Sequence, residues 1–398
     1  MTLEQMKSDL SIEKIPACFS SYYAQIKDSW KARAAQILSD EYITETFRAC
    51  YAMLPYQEAV LRSARVVRQN PAMCLLICLL EKWIRDGNDP EDPSYTPPAA
   101  KGPGLDFLHL FPAIPTMPES VAFLRQRNAP EDVIADSLQE YDASTAGAVR
   151  NTGTPSFSCG RLSWLCNVVW NRFVHIDRFK YDLPDTFIEG ARVYENDSGE
   201  TVVMAHNVQV HRSGRFLGSV GHEDPEGSFY AQVQETETEF IGHRAVEGIV
   251  ETALTALPKA QWHLCLCETD KVIRIHIPKE GSFDKKTIMD SYVRARKVFA
   301  ECFPDHPYKA FFCSSWLMSS DLHGILKPTS NILGFQEPFT RLPFKSTGTL
   351  VFSFAFDNVG AVIPTDIDAL PENTSLQRAV KQLHREGGYI HEGAGFFF

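Results

Sequence analysis

The sequence lacks any apolar run long enough to cross a bilayer. The longest, Ala72 to Leu80, is nine residues, against the ~20 that such a helix needs. It also lacks the basic and apolar blocks of a secretory signal, since Met1-Thr2-Leu3-Glu4-Gln5-Met6-Lys7 is polar and partly acidic. A cytoplasmic location without a membrane partner is therefore expected. Basic excess is missing too: 39 Lys and Arg face 50 Asp and Glu, for a net charge of −11. That balance would repel a phosphate backbone, and no basic stripe interleaved with aromatics offsets it, so nucleic acid is not an expected partner. The clusters Lys285-Lys286 and Arg294-Ala295-Arg296-Lys297 suit either one small anionic ligand or solvated helix faces.

Disulfide and zinc patterns are absent as well. Ten cysteines occur, among them Cys74/Cys78 and Cys265/Cys267, and without an export signal they read as reduced thiols. Cys265 and Cys267 alternate with Leu264 and Leu266, which puts both sulfurs on one strand face as small buried hydrophobes. No metal is expected. No Gly-x-Ser-x-Gly elbow surrounds any candidate serine, which argues against a serine hydrolase, and no cysteine has a recognisable nucleophile context.

What is present describes a folded chain of two parts. A length of 398 residues exceeds what one core usually serves, and 44% hydrophobic with 22% charged residues is ordinary globular usage. From Ser11 to Leu80 the apolar residues recur at helical spacing, as in Ile37, Tyr42, Phe47, Tyr51 and Leu54. Asn70 followed by Pro71 predicts the capped start of a buried helix through Leu80. Residues 87–104 are too rich in breakers for regular structure. Helices should open at Pro118-Glu119-Ser120 and at Ala129-Pro130-Glu131-Asp132. Residues 144–158 read as a small, polar connection, and 162–174, with Trp164, Trp170 and Phe173, as the link between the halves.

Beyond His175 the pattern turns to strands. Residues 201–204, 208–211 and 229–234 are β-rich and bounded by turn residues such as Asn196-Asp197-Ser198-Gly199. Residues 262–266 and 271–277 predict a hairpin. Strands are expected again at 308–313 and 350–356, with helices at 319–326 and 374–385. The closing Gly-Phe-Phe-Phe has two options, packing or docking elsewhere.

One stretch carries a chemical suggestion. Ile273, Ile275 and Ile277 alternate with Arg274 and His276, so one face of the strand is core and the other polar. A short turn, Pro278-Lys279-Glu280-Gly281-Ser282, leads into an amphipathic helix from Asp284 carrying Ile288, Tyr292, Ala295, Phe299 and Cys302. Free amides and the positive end of a helix dipole would then point toward the end of the strand, a setting suited to phosphate, although many such turns bind nothing. His276 beside such a ligand is a candidate base, or a structural histidine bonded between layers. Glu235, Glu237 and Glu239 alternate with threonines, so on one strand they would share a face and could hold or deprotonate an amine, or simply be solvated. Ser315 and Trp316 follow a strand and are placed to line a cleft, with Trp316 equally a core residue. Asn331 offers an amide donor or a turn.

Three segments, IHIPKEG (275–281), CSSWLMS (313–319) and SNILGF (330–335), resemble bacterial acyltransferase-domain proteins that join an N-terminal N-acyltransferase helical domain to a GNAT-like C-terminal domain. The spacing through FPDHPYKA (303–310) is similar, and residues 108–141 and 160–165 resemble the helical part. The resemblance implies an α+β fold, with an all-helical domain over 1–158 and a GNAT-like mixed-sheet α/β domain over 159–398. It implies transfer of an acyl group from acyl-CoA or acetyl-CoA to an amine of a small molecule, with His276, Glu235 and Ser315 as catalytic candidates. The pantetheine arm would lie along 272–277 and the pyrophosphate on the turn, against Ile277, Lys279, Gly281 and Ser282. Glu237, Trp316 and Asn331 would meet the acceptor. The family's pyrophosphate pattern has a second small residue that Lys279-Glu280-Gly281-Ser282 lacks, which leaves a non-catalytic ligand-binding or regulatory protein of the same fold as the alternative.

Overall fold

Asn70 accepts hydrogen bonds on Oδ1 from the amides of Ala72 and Met73, so the helix that follows begins with Pro71 in its first turn. It is apolar nearly all round, and accordingly it is buried. In the computed structural model, which describes residues 1–98, 104–356 and 362–398, this helix is α6 (Pro71–Arg85) of a ten-helix unit. The others are α1 (Leu3–Asp9), α2 (Cys18–Ile26), α3 (Trp30–Ile37), α4 (Asp40–Ala49), α5 (Gln57–Val67), α7 (Met117–Gln126), α8 (Glu131–Leu138), α9 (Glu140–Thr152) and α10 (Cys159–Val169). α1, α2 and α3 pack against α6. This unit spans Met1–Ile176 together with Lys297–Cys302, and it includes the short strand β1 (Phe173–Ile176). Of the loop expected over 87–104, residues 87–98 form turns without regular structure, and 99–103 lie outside the described residues. The polar connection expected from residue 144 is instead largely helix. Acidic Glu140 and Asp142 open α9, and Gly153, at φ +74°, closes it.

The second unit holds Asp177–Arg296 and Phe303–Phe398. Its elements are β2 (Phe179–Asp182), β3 (Ala191–Asn196), β4 (Thr201–Ala205), β5 (Val208–Val210), β6 (Phe229–Ala231), β7 (Gln234–Glu235), β8 (Glu239–Val246), β9 (Ile249–Pro258), β10 (Trp262–Leu266) and β11 (Val272–His276). These are followed by α11 (Lys285–Cys302), of which the part up to Arg296 belongs to this unit, and by β12 (Ala310–Ser315), α12 (Leu322–Ile325), α13 (Asn331–Gln336), β13 (Thr340–Leu342), α14 (Leu350–Ala355), α15 (Ser375–Arg385) and β14 (Gly393–Phe397). Helices followed by a mixed-sheet region make the chain α+β, as the sequence suggests.

One sheet of this unit runs β2-β11-β12-β14-β13, parallel only between β11 and β12. The other, β10-β3-β4-β8-β7 with β9 also on β8, is antiparallel throughout. Val272, Phe312, Ala394 and Phe396 of the first sheet share a core with Val193, Val203, Ala205 and Leu266 of the second. The closing residues enter the first sheet as β14, between β12 and β13.

Three local expectations are corrected. Residues 262–266 and 271–277 are not a hairpin, because β10 pairs with β3 while β11 sits between β2 and β12. The burial explains the separation: Val272, Ile273 and Ile275 are enclosed on both faces, as an interior strand requires, whereas β10 buries only Leu266. Residues 350–356 form α14 rather than a strand. Its Val351 and Phe352 join Leu322, Val380 and Ile390 in one cluster, and a short apolar run has no periodicity to distinguish the two states. Finally, Glu235, Glu237 and Glu239 do not share a strand face. The amide of Glu239 donates to Thr236 Oγ1 at 2.9 Å, and a tight turn there separates β7 from β8.

Phe311 is fully buried in β12, its ring stacked 5.2 Å from that of Phe397 in β14. Phe311→Ala should therefore cost about 3–5 kcal/mol, read from the midpoint of urea unfolding at unchanged slope. A loss below about 1 kcal/mol would contradict the placement of β14 against this strand.

Candidate functional site

β11 and β12 begin as partners and then part. Their parallel register pairs Val272 with Ala310, Ile273 with Phe311 and Arg274 with Phe312. Beyond that β11 continues to His276 along β2, with Ile275 opposite Tyr181 and His276 opposite Lys180. β12 continues to Ser315 along β14, with Ser315 opposite Gly393. Ile275 and His276 of β11 and Cys313, Ser314 and Ser315 of β12 thus lie beyond the last pair between the two strands, the place where parting strands can accept an extended polar chain. His276 and Ser315 end the two limbs.

The two faces of β11 differ as its alternation demands. Ile273 and Ile275 are buried toward α11. Beside them Phe179 stacks on Tyr292 at 5.2 Å, and the Tyr181 hydroxyl meets Ser291 Oγ at 3.0 Å. The opposite face carries Lys180, Asp182, Arg274 and His276. Asp182 Oδ1 stands 3.4 Å from His276 Nε2 and 3.7 Å from Arg274 Nε. A carboxylate is thus placed beside both nitrogen-bearing side chains of this face.

The turn after β11 is built around Gly281, whose φ of +92° lies in the region open to glycine. Beneath it lies Arg178, contributed by the segment just before β2. Arg178 is 6% exposed, and its guanidinium sits 5.5 Å from the ring of Phe179 and 5.1 Å from that of Phe283 and donates from Nη2 to the Pro278 carbonyl at 2.9 Å. Its Nε and Nη1 are buried and meet no hydrogen-bond acceptor among the described residues. Burial pulls its pKa below the ordinary arginine value, with the Glu280 carboxylate opposing.

The front of α11 differs from expectation, because Asp284 occupies it. Asp284 Oδ1 accepts from the Thr287 amide at 3.0 Å, and Oδ2 accepts from the hydroxyls of Ser282 and Thr287, each at 2.6 Å. These bonds, those from Ser282 and Thr287 foremost, hold its carboxyl far below the usual carboxylate range. A side chain therefore caps the helix dipole at the point where free amides were expected.

The structure brings His276, Ile277, Lys279, Gly281 and Ser282 together on one strand and turn, with Ser315 at the end of the adjoining strand. Ser315 Oγ accepts from the Leu317 amide at 3.1 Å. Trp316 is 8% exposed, within the cluster of Leu322, Val351 and Phe352. Asn331 is an exposed first residue of α13, and Ser330 is the cap. α13 does reach the turn, since Phe335 lies 5.3 Å from Phe283 and Lys285 Nζ bonds Glu337 at 2.5 Å. Glu235 and Glu237 are elsewhere, on the exposed β7–β8 hairpin of the other sheet, where Glu235 pairs with Lys259 at 2.7 Å. Sequence reasoning missed Asp182, Arg178 and Asp284. The alternation of Phe179-Lys180-Tyr181-Asp182 signals a polar face holding the first. Arg178 is 100 residues from Pro278, beyond any local pattern.

Residues 173–397 match the GNAT-like C-terminal domain family, which is more than half of the chain. The chain belongs to that family. The fold of the whole chain is similar to that of three solved structures: an acyltransferase in complex with decanoyl-CoA, the same with decanoyl-CoA and teicoplanin, and an acyltransferase mutant in complex with octanoyl-CoA. Each is 16% identical at a TM-score of 0.62, over 100% of this chain and 99% of the other. At that identity the likeness is one of fold. No curated protein matches the sequence. Among the described residues of this GNAT-like chain, no group of three or more His, Cys, Asp and Glu is placed to hold a metal, and no helix is long and apolar enough to cross a membrane.

A Cβ added at Gly281 would meet nothing nearer than Arg178 Cδ at 3.8 Å, so Gly281→Ala tests the backbone alone. It should cost about 1–2 kcal/mol of stability in chemical denaturation. An unchanged midpoint would mean that the turn does not hold this left-handed conformation.

Proposed function

We propose that the protein is an acyl-CoA-dependent N-acyltransferase acting on an amine of a small molecule in the cytoplasm. The observation that carries this is the parting of β11 and β12 next to a strand–turn–helix junction in a GNAT-like fold. The structural neighbours bound to octanoyl-CoA and decanoyl-CoA, one of them with the glycopeptide teicoplanin, support the donor class and make a small-molecule acceptor reasonable.

In this reading the edges of β11 and β12 beyond the Arg274–Phe312 pair hold the amides of the pantetheine arm as an added strand would be held. The thioester then lies at the mouth of the gap, between His276 and Ser315. His276, oriented by Asp182, takes a proton from the acceptor ammonium and frees its lone pair. The nitrogen bonds to the thioester carbonyl carbon, and main-chain N–H groups at the mouth stabilise the oxyanion. Collapse breaks the carbon–sulfur bond, the nitrogen loses its second proton, and the departing thiolate gains one. The net products are an amide, a thiol and one released proton. Ser315, whose oxygen already accepts from Leu317, keeps its hydroxyl proton for the sulfur. Glu235, already paired with Lys259, takes no part in this step.

Asp284 at the front of α11 favours a second reading, a binding or regulatory protein of the same fold in which the turn no longer receives coenzyme. Thermal unfolding with decanoyl-CoA separates the two. At a hundredfold excess over the dissociation constant, a bound donor adds ~2.7 kcal/mol, seen as a rise in melting temperature. No rise at millimolar octanoyl-CoA or decanoyl-CoA would rule out the transferase reading. His276→Ala should lower turnover by about 10²–10⁴-fold with little change in donor affinity; unchanged turnover removes His276 from the mechanism.

A further inference from the structure

Arg178 is held in a way that its own fold does not complete. Its guanidinium is enclosed by Phe179 and Phe283 and tied by one hydrogen bond to Pro278, while Nε and Nη1 have neither an acceptor among the described residues nor solvent. A buried cationic donor without an acceptor is costly, and folded proteins rarely leave one without a reason. The surroundings suggest the reason. An ideal Cβ on Gly281 would lie 3.8, 3.9 and 4.0 Å from Arg178 Cδ, Nε and Cζ. The guanidinium therefore lies against the side of the turn that a side chain at 281 would fill, and glycine leaves that side bare. The usual source of positive potential at such a junction, the helix front, is already capped by Asp284, and nearby Lys286 is paired with Asp290.

We propose that Arg178 is the residue that binds the diphosphate of the acyl donor, reached across the bare face of the turn at Gly281. A modest outward shift of the exposed residues 279–282 uncovers Nε and Nη1, and phosphate oxygens supply the acceptors that they lack. The chain thus replaces the backbone cradle of a glycine-rich turn with one buried cation brought from the segment before β2. This rests on the coenzyme reading given above, and it adds a positioning residue that lies outside the strand–turn–helix segment.

The test is calorimetric titration of the full chain with two ligands, decanoyl-CoA and decanoyl-pantetheine, the second lacking the diphosphate and nucleotide. Arg178→Gln should weaken decanoyl-CoA by about tenfold or more and leave decanoyl-pantetheine within about twofold of wild type. Gly281→Asp, which keeps Arg178 but sets a carboxylate against it, should produce the same selective loss, and it carries the test if Arg178→Gln does not fold. If wild type binds neither thioester, the coenzyme reading itself fails. If wild type binds decanoyl-CoA and both folded variants bind it equally well, only the role of Arg178 is overturned. A loss equal for both ligands also overturns it, because a merely structural arginine would disturb the pantetheine channel and the diphosphate alike.

Discussion

The structure around the site depends on a competition for hydrogen bonds that β11 and β12 resolve by choosing different neighbours. Each is a strand with two edges to satisfy. β11 keeps β2 to its end, β12 keeps β14 to its end, and after Arg274 and Phe312 neither keeps the other. The outer pairings are secured by apolar packing: Phe179 and Tyr181 of β2 against Tyr292 and Phe311, and Phe397 of β14 against Phe311. The parting is thus a consequence of what each strand pairs with on its other side.

Electrostatics at the junction follow from an exchange of roles. Asp284 supplies the negative group that a helix front attracts, and in doing so removes that front from service to a ligand. The opposite charge is then provided from a distant part of the chain by Arg178, under a turn that only glycine leaves open. On the polar face of β11, Asp182 stands close to both Arg274 and His276, at 3.7 and 3.4 Å.

Much of this was legible in the sequence because it is local. Asn70-Pro71 announces α6, and the alternation from Val272 to Ile277 identifies β11 with its buried and polar faces. The turn at 278–282 and the stripe from Ile288 to Cys302 mark the junction and α11. The misreadings occur where tertiary pairing or packing overrides pattern. Alternation over 235–239 is the same whether the chain runs straight or turns, and only the side chain of Thr236 decides it. Two strands separated by three polar residues look like a hairpin unless their burial is known, and Leu350 to Phe356 has too few residues to show a period. Arg178 and Asp182 meet their partners across about a hundred residues, a distance at which sequence spacing carries no geometric information.

The placement of β14 bears on how the chain reaches this form during synthesis. β12 ends at residue 315, yet the strand that covers its edge begins at residue 393. Until that late segment leaves the ribosome, Phe311 and its neighbours offer an uncovered, apolar strand edge, a surface prone to pairing with other chains. Completion of this sheet must therefore wait for the intervening residues 316–392 to be made, and the edge of β12 needs protection until then.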